Sequence, residues 1–113
     1  MDASEYKESQ RRVALDTAAA VIEGRVGPIE GSRILNRLSY DLVADPRIDK
    51  DFVIFLGVDS ETDALPIGDV RKNWDALALE REDVKIANAQ GFFRERVVEA
   101  CRRLLERLRD VPL

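Results

Sequence analysis

The sequence predicts a single α+β domain, residues 1–113, made of three main helices and one short β-hairpin or paired strand. Three observations favour this fold class. Apolar residues recur at helical spacing over most of the chain, a continuous apolar run interrupts that spacing near the middle, and glycine or proline separates the segments. A length of 113 residues is typical of one domain with one hydrophobic core, so we expect no second domain.

The first two helices are predicted from their apolar faces and from the residues at their ends. Apolar side chains form one broad face over residues 4–23, with Ser4 as the N-cap and Gly24 as the residue that ends the helix in a left-handed conformation. The second helix begins at a proline, which suits the first helical position, and covers residues 28 to about 43. Pro46 ends it, because proline disfavours the helical conformation of the residue before it.

The central run FVIFLGV, residues 52–58, predicts a strand that is buried on both faces, because it is continuously apolar and rich in aromatic and β-branched residues. A lone strand leaves its backbone groups without partners. One solution is a hairpin with residues 64–68, in which Pro66 confines the second strand to an edge. The other is pairing with the same strand of a second copy across a homodimer axis. The sequence leaves both open.

The last predicted helix is capped by Asp75 and covers residue 76 to about residue 108. It carries two apolar faces, so we expect it to pack centrally or to meet another subunit, and we predict a homodimer. Gly91 costs about 1 kcal/mol relative to alanine inside a helix, which indicates a kink or a break near it. The first face contains Ile86, Phe93, Val97, Ala100, Leu104 and Leu108, and the second contains Val84, Ala87, Val98, Cys101 and Leu105.

Composition excludes several classes of protein. Apolar residues at 45% and charged residues at 35% are typical of a soluble globular chain. The longest apolar run is far below the roughly 18 residues of a membrane span, and the polar N-terminal residues are unlike a secretory signal. We therefore expect a cytoplasmic protein without membrane contact. The single cysteine, Cys101, cannot form an internal disulfide, and its apolar neighbours predict a packed thiol.

The absence of histidine restricts the available chemistry. Ser-His-Asp and Cys-His catalysis, the usual zinc sites and haem ligation by histidine all require an imidazole. The glycine-rich segment GRVGPIEGSR lacks the spacings that cradle phosphates. We therefore predict a protein that is not an enzyme and that carries no cofactor.

Charge is distributed unevenly along the chain. Residues 41–83 contain 12 acids and five bases, whereas residues 84–113 contain seven bases and four acids. Phosphate backbones would be repelled by the first segment and only weakly attracted by the second, so nucleic-acid binding is not expected. A basic protein partner suits the acidic segment better.

The segment VDSETDALPIGDVRKNW places carboxylates at alternate positions, Asp59, Glu61 and Asp63. Positions one, three and five of a calcium loop show the same alternation. The sixth position, however, is Ala64 where the loop requires glycine, and the twelfth is Val70 where it requires glutamate. The segment is therefore not a calcium loop of that type.

Two other interpretations of these carboxylates stay open. In a strand they would lie on one side and could hold magnesium, with Glu80 or Asp83 completing the shell, as in a divalent-metal-dependent hydrolase. In a structural interpretation, which we prefer, Ser60, Thr62 and Asp63 bond to nearby backbone amides and hold a turn. We accordingly predict no metal site.

The predicted interaction residues are the three carboxylates of this turn together with Arg71 and Trp74, which follow it. In a structural interpretation, Arg71 pairs with Asp59 or Asp63, and Trp74 covers the start of the last helix. Alternatively, these residues and Glu61 form one exposed patch, since tryptophan and arginine often anchor interfaces. The arginines near the C-terminus, Arg102, Arg103, Arg107 and Arg109, are interpreted as a solvated face paired with Glu99 and Glu106.

The pattern DSETDxLPxGxVRxxW, preceded by IEGRVGPIEGSRIL and followed by ACRRLLERL, resembles a small bacterial protein family of uncharacterised function. The resemblance covers the chain from about residue 20 onward and implies no activity and no catalytic residue. In size and acidity the chain is also similar to the immunity proteins that neutralise bacterial toxins. The expected function is a non-enzymatic interaction protein of the immunity or inhibitor type, and a structural homodimer without a ligand is a further alternative.

Overall fold

The structure is a computed structural model that describes residues 2–109, and over these residues it contains helices but no strand. The expected α+β class and its β-hairpin are therefore wrong, and the fold is a helical bundle. Four α-helices follow one another, with a short 3₁₀ helix before the last. They are α1 (Ala3–Ile22), α2 (Pro28–Leu42), α3 (Phe52–Thr62), the 3₁₀ helix η1 (Gly68–Asn73) and α4 (Ala76–Arg109).

The segment that was predicted as a strand forms α3. Its buried side chains, Phe52, Phe55, Val58 and Thr62, return at spacings of three and four residues, which is the helical period. Periodicity alone cannot separate a short buried helix from a buried strand when the run is apolar throughout. Packing decides here, because α3 lies against both α2 and α4. Pairing of this segment as a strand, within or between chains, is therefore excluded.

The core lies where α4 meets the other helices. Ala14 and Ala18 of α1 have no exposed surface, and their small side chains allow α1 to lie close to α4. The rings of Phe52 and Phe55 meet edge to face, with centroids 5.9 Å apart, and both are fully buried. Cys101 is also buried, which raises the pKa of its thiol to about 12 and confirms a packed rather than a nucleophilic cysteine.

Most predicted helix ends agree with the structure. Gly24 has a positive φ of 78°, α2 begins at Pro28, and the side chain of Asp75 accepts a hydrogen bond from the amide of Ala78 (2.8 Å) at the start of α4. The cap of α1 is Asp2 rather than Ser4. There is no break at Gly91, since α4 continues through it without interruption. None of the described helices has the combination of length and apolarity that a membrane crossing needs.

Candidate functional site

Asp59 and Glu61 lie on α3 and Asp63 directly follows it, and the three carboxylates do not share one side. Successive residues of a helix are 100° apart, so Asp59 and Asp63 share one side while Glu61 lies about 200° from Asp59. Glu61 lies in a shallow groove beside Phe93 and Arg96 of α4. The single row that a strand would have formed is absent. Within residues 2–109, no group of three or more histidine, cysteine, aspartate or glutamate residues is placed to hold a metal ion.

Asp59 belongs to a contact between α2 and α3. Its Oδ2 accepts a hydrogen bond from Nδ2 of Asn36 (2.9 Å), and its Oδ1 lies 3.8 Å from Nε of Arg33. The guanidinium of Arg33 also donates to the carbonyls of Thr62 and Leu65, the latter at 3.2 Å. These carbonyls lie at the C-terminal end of α3, where a cation is favourable. Arg33 therefore holds the end of α3.

The turn after α3 is consequently built in a different way from the one expected. Thr62 donates its hydroxyl to the carbonyl of Val58 (2.7 Å), so this contact lies inside the helix and not in the turn. Asp63 lies at the C-terminal end of α3 and is exposed. It is free to meet solvent or a partner, whereas Asp59 is largely committed to the contact with α2.

Arg71 pairs with Asp83, so the expected pairing with Asp59 or Asp63 is wrong. The guanidinium donates two hydrogen bonds to this carboxylate (2.8 and 3.1 Å) and a third to the carbonyl of Pro66 (3.1 Å). The pair lowers the pKa of Asp83 and raises the pKa of Arg71, mainly through the hydrogen bonds between them. It fastens η1 to α4. Arg71 also borders a cleft of about 170 Å³ that reaches Gly27 at the start of α2.

The loop after α3, η1 and the beginning of α4 thus lie together at one end of the bundle. Residues 61–83 contain seven acids and three bases, and we refer to this region as the acidic end. Three large apolar side chains are exposed within it, Val70 of η1, Trp74, and Leu77 of α4. Trp74 retains 36% of its surface, so its indole is neither buried over α4 nor fully free. Charged and apolar groups are therefore available together at this end.

A second ionic site, which the sequence did not predict, joins the beginning of α3 to the last third of α4. We call it the buried ion cluster. Arg107 donates to both carboxylate oxygens of Asp49 (2.9 and 2.6 Å) and to Asp51 (3.2 Å), and Arg103 donates to Asp51 at 2.9 Å. Only 1% of the Asp51 side chain is exposed.

Asp49 also fixes the first turn of α3. Its Oδ1 accepts from the backbone amides of Asp51 and Phe52, both at 3.0 Å. The hydrogen bonds from Arg107 are the main reason that the pKa of Asp49 falls to about 2. The spacing of Arg103 and Arg107, four residues apart on one helix face, was the signal that could have revealed a shared partner.

The second apolar face predicted on α4 divides into two parts. Cys101 is buried, and Val98 and Leu105 are partly buried against the core. Val84 is 62% exposed, and Leu77, one heptad before it, is 69% exposed. The N-terminal half of this face is therefore its more exposed part.

Comparison with models of protein families, with curated proteins and with solved structures finds no match for this chain.

Proposed function

We propose that this chain is a non-enzymatic protein-interaction module whose acidic end binds a basic surface of a partner protein. The observation that carries the proposal is the excess of acids over bases, seven to three in residues 61–83, around the exposed side chains of Val70 and Trp74. An immunity or inhibitor role is the more specific form of the same proposal.

Charge and apolar surface would contribute differently to such a contact. Carboxylates on the rim accelerate encounter with a basic partner and disfavour acidic ones. Durable contacts come from aromatic and apolar side chains that become desolvated, and Trp74 is of the residue type that most often fills this role. The Arg71–Asp83 pair holds η1 in place beforehand, which reduces the ordering that binding requires.

A charge-reversal variant tests the proposal. Glu61, Asp63 and Asp69 are all exposed, and we expect their simultaneous replacement by lysine to abolish capture of a basic partner. Asp59 and Asp75 are excluded from the variant because each accepts a structural hydrogen bond. The measurement is crosslinking and mass spectrometry of the tagged chain in its native cell, followed by the affinity of the purified pair.

The matched control reverses three exposed carboxylates elsewhere, Asp16, Glu99 and Glu106, and so makes the same change in net charge. We expect the control to retain the partner. Equal capture by both triple variants would show that the acidic end is not the binding surface. An acidic partner would likewise contradict the proposal.

Self-association through α4 is a second part of the proposal, and it is favoured by the exposed side chains of Leu77 and Val84. Exposed apolar side chains that follow one another along a helix face are typical of helix pairing. Sedimentation of the purified chain over a range of concentrations tests it. A single monomeric species up to about 1 mM, which is far above ordinary dimer dissociation constants, would contradict it.

A further inference from the structure

The side of α4 that faces away from the core carries a row of residues at heptad spacing. Positions 77, 84, 91 and 98 lie within about 60° of one another around the helix. The buried residues Ile86, Phe93 and Leu104 lie on the opposite side. Leu77, Val84 and Gly91 are exposed, and Val98 is half-buried. We call this side the back row.

The positions of the back row are arranged symmetrically about a point between Ala87 and Asn88. Both of these residues are exposed. Val84 and Gly91 lie at equal distances on the two sides of this centre, and so do Leu77 and Val98. A charged pair lies between the inner and the outer residue on each side. The charged pairs are themselves mirrored, because Glu80-Arg81 precedes the centre and Arg94-Glu95 follows it.

In an antiparallel pair of helices, this symmetry places charged residues of one copy beside residues of opposite charge in the other copy. Around the helix axis, Glu80 and Arg94 lie on one flank of the row, whereas Arg81 and Glu95 lie on the other. A twofold axis through the centre, perpendicular to the helices, keeps each flank on its own side. Glu80 therefore faces Arg94 of the second copy, and Arg81 faces Glu95 of the second copy, with each contact occurring twice.

The four charged residues make no ion pair within residues 2–109, whereas Arg103 and Arg107 of the same helix do. All four are exposed. Their charges are therefore available to a second molecule.

The open space around Gly91 is a second, independent observation that supports a contact with another molecule. Glycine is less favourable than alanine inside a helix, yet here it has no positive φ and no atom within 4 Å of the position that a Cβ would occupy. Within residues 2–109, no backbone conformation or neighbouring atom requires glycine at this position. In the antiparallel pair, Gly91 lies level with Val84 of the second copy, so the missing side chain leaves room for that valine.

We propose that a second copy of this chain docks on the back row in antiparallel orientation, with the twofold axis between Ala87 and Asn88. The proposal rests on the self-association proposed above and specifies its surface and register. Phe92, which is 73% exposed, then lies beside Arg81 of the second copy and receives a cation–π contact. The contact from Leu77 to Val98 is about 32 Å long, which corresponds to three heptads.

Cysteine crosslinking tests the register. In the proposed dimer Asn88 lies beside its own counterpart across the twofold axis, so we expect Asn88→Cys to form a disulfide-linked dimer under mild oxidation. Glu99→Cys is the control, because Glu99 is exposed on α4 but would lie about 35 Å from its counterpart. Native Cys101 is buried and does not interfere. Crosslinking of both variants would indicate a parallel pair, and crosslinking of neither would indicate a different surface; either result overturns the register.

Charge exchange tests the pairing itself. We expect Glu80→Arg to weaken the dimer by about tenfold, because it places an arginine against Arg94 of the second copy. Addition of Arg94→Glu in the same chain should restore the affinity to within about threefold of the wild type. Glu106→Arg, an exposed change outside the row, should have no effect. If the wild type dimerises but Glu80→Arg changes nothing, the register is wrong while self-association stands; a wild type that stays monomeric removes both.

Discussion

The buried ion cluster and the charged pairs of the back row have the same composition, two carboxylates and two arginines each, but opposite roles. The cluster is fully paired inside the chain and joins α3 to α4. The back-row residues belong to the same helix α4 and, among the described residues, pair with nothing. The difference comes from position around α4, since one pair of arginines faces α3 and the other faces away from the bundle. The type of charged residue therefore does not reveal its role, whereas its angle relative to the apolar face does.

The largest expected effect is loss of the buried carboxylate in the cluster. Asp51→Ala leaves Arg103 and Arg107 without their shared partner, and removing one member of a buried pair typically costs about 3–5 kcal/mol. We expect the lower end of that range, because these two arginine side chains are 45% and 34% exposed and can reach water. Urea unfolding measures the change.

Asp16→Ala is the control for this prediction, because Asp16 is exposed on α1 and should change stability by no more than about 0.5 kcal/mol. A loss below about 1 kcal/mol for Asp51→Ala would place the cluster among surface ion pairs rather than structural ones. The comparison between the two charged sites would then lose its basis.

An intermediate effect is expected from the charge of Asp49, and it depends on pH. The pKa of this carboxyl is about 2 in the folded chain, below its unfolded value of about 3.9. A lowered pKa means that the stabilisation is complete above the unfolded value and is lost as the pH falls from about 5 towards 2. We expect Asp49→Asn, which keeps the oxygen that caps α3, to destabilise the chain by about 2 kcal/mol at pH 7.

The difference between wild type and Asp49→Asn should then vanish near pH 2, as measured by urea unfolding at a series of pH values. A difference that persists at that pH would show that the variant acts through packing or the cap rather than through charge. The back-row carboxylates provide the contrast, because Glu80 is exposed and Glu80→Gln should leave the free energy of unfolding of the dilute chain at pH 7 equal to that of the wild type.

Most helix positions could be predicted from the sequence because their signals are local. Pro28, Gly24 and Asp75 each act on their own neighbours, and the structure places helix ends beside all three. The run at residues 52–58 could not be assigned in the same way. It is apolar all round because both α2 and α4 cover it, and a short run of that kind satisfies the strand and the helix patterns equally.

The predicted pairing of Arg71 with Asp59 or Asp63 is wrong because the actual partners of Arg71 and Asp59 lie far away in the sequence. Arg71 meets Asp83, 12 residues away, and Asp59 meets Asn36, 23 residues away. Asp59 and Asp63 were considered as partners because they lie near Arg71 in the sequence. Asp59 faces α2 instead, because α3 is a helix and not a strand. A strand places alternate carboxylates on one side and a helix does not, so the predicted sides of these carboxylates are wrong as well.

The smallest expected effect on stability is that of Gly91→Ala, and this variant best separates a role in the fold from a role in the dimer. A Cβ at this position lies more than 4 Å from the other atoms that the structure describes, so alanine should stabilise the isolated fold by about 0.5–1 kcal/mol through helix propensity alone. In the proposed dimer the same methyl group would occupy the space that receives Val84 of the second copy, so self-association should weaken. Unfolding of dilute protein and sedimentation of concentrated protein measure the two effects separately. Opposite signs would show that the glycine serves the contact between copies and not the fold, whereas an unchanged or tighter dimer would remove Gly91 from the interface.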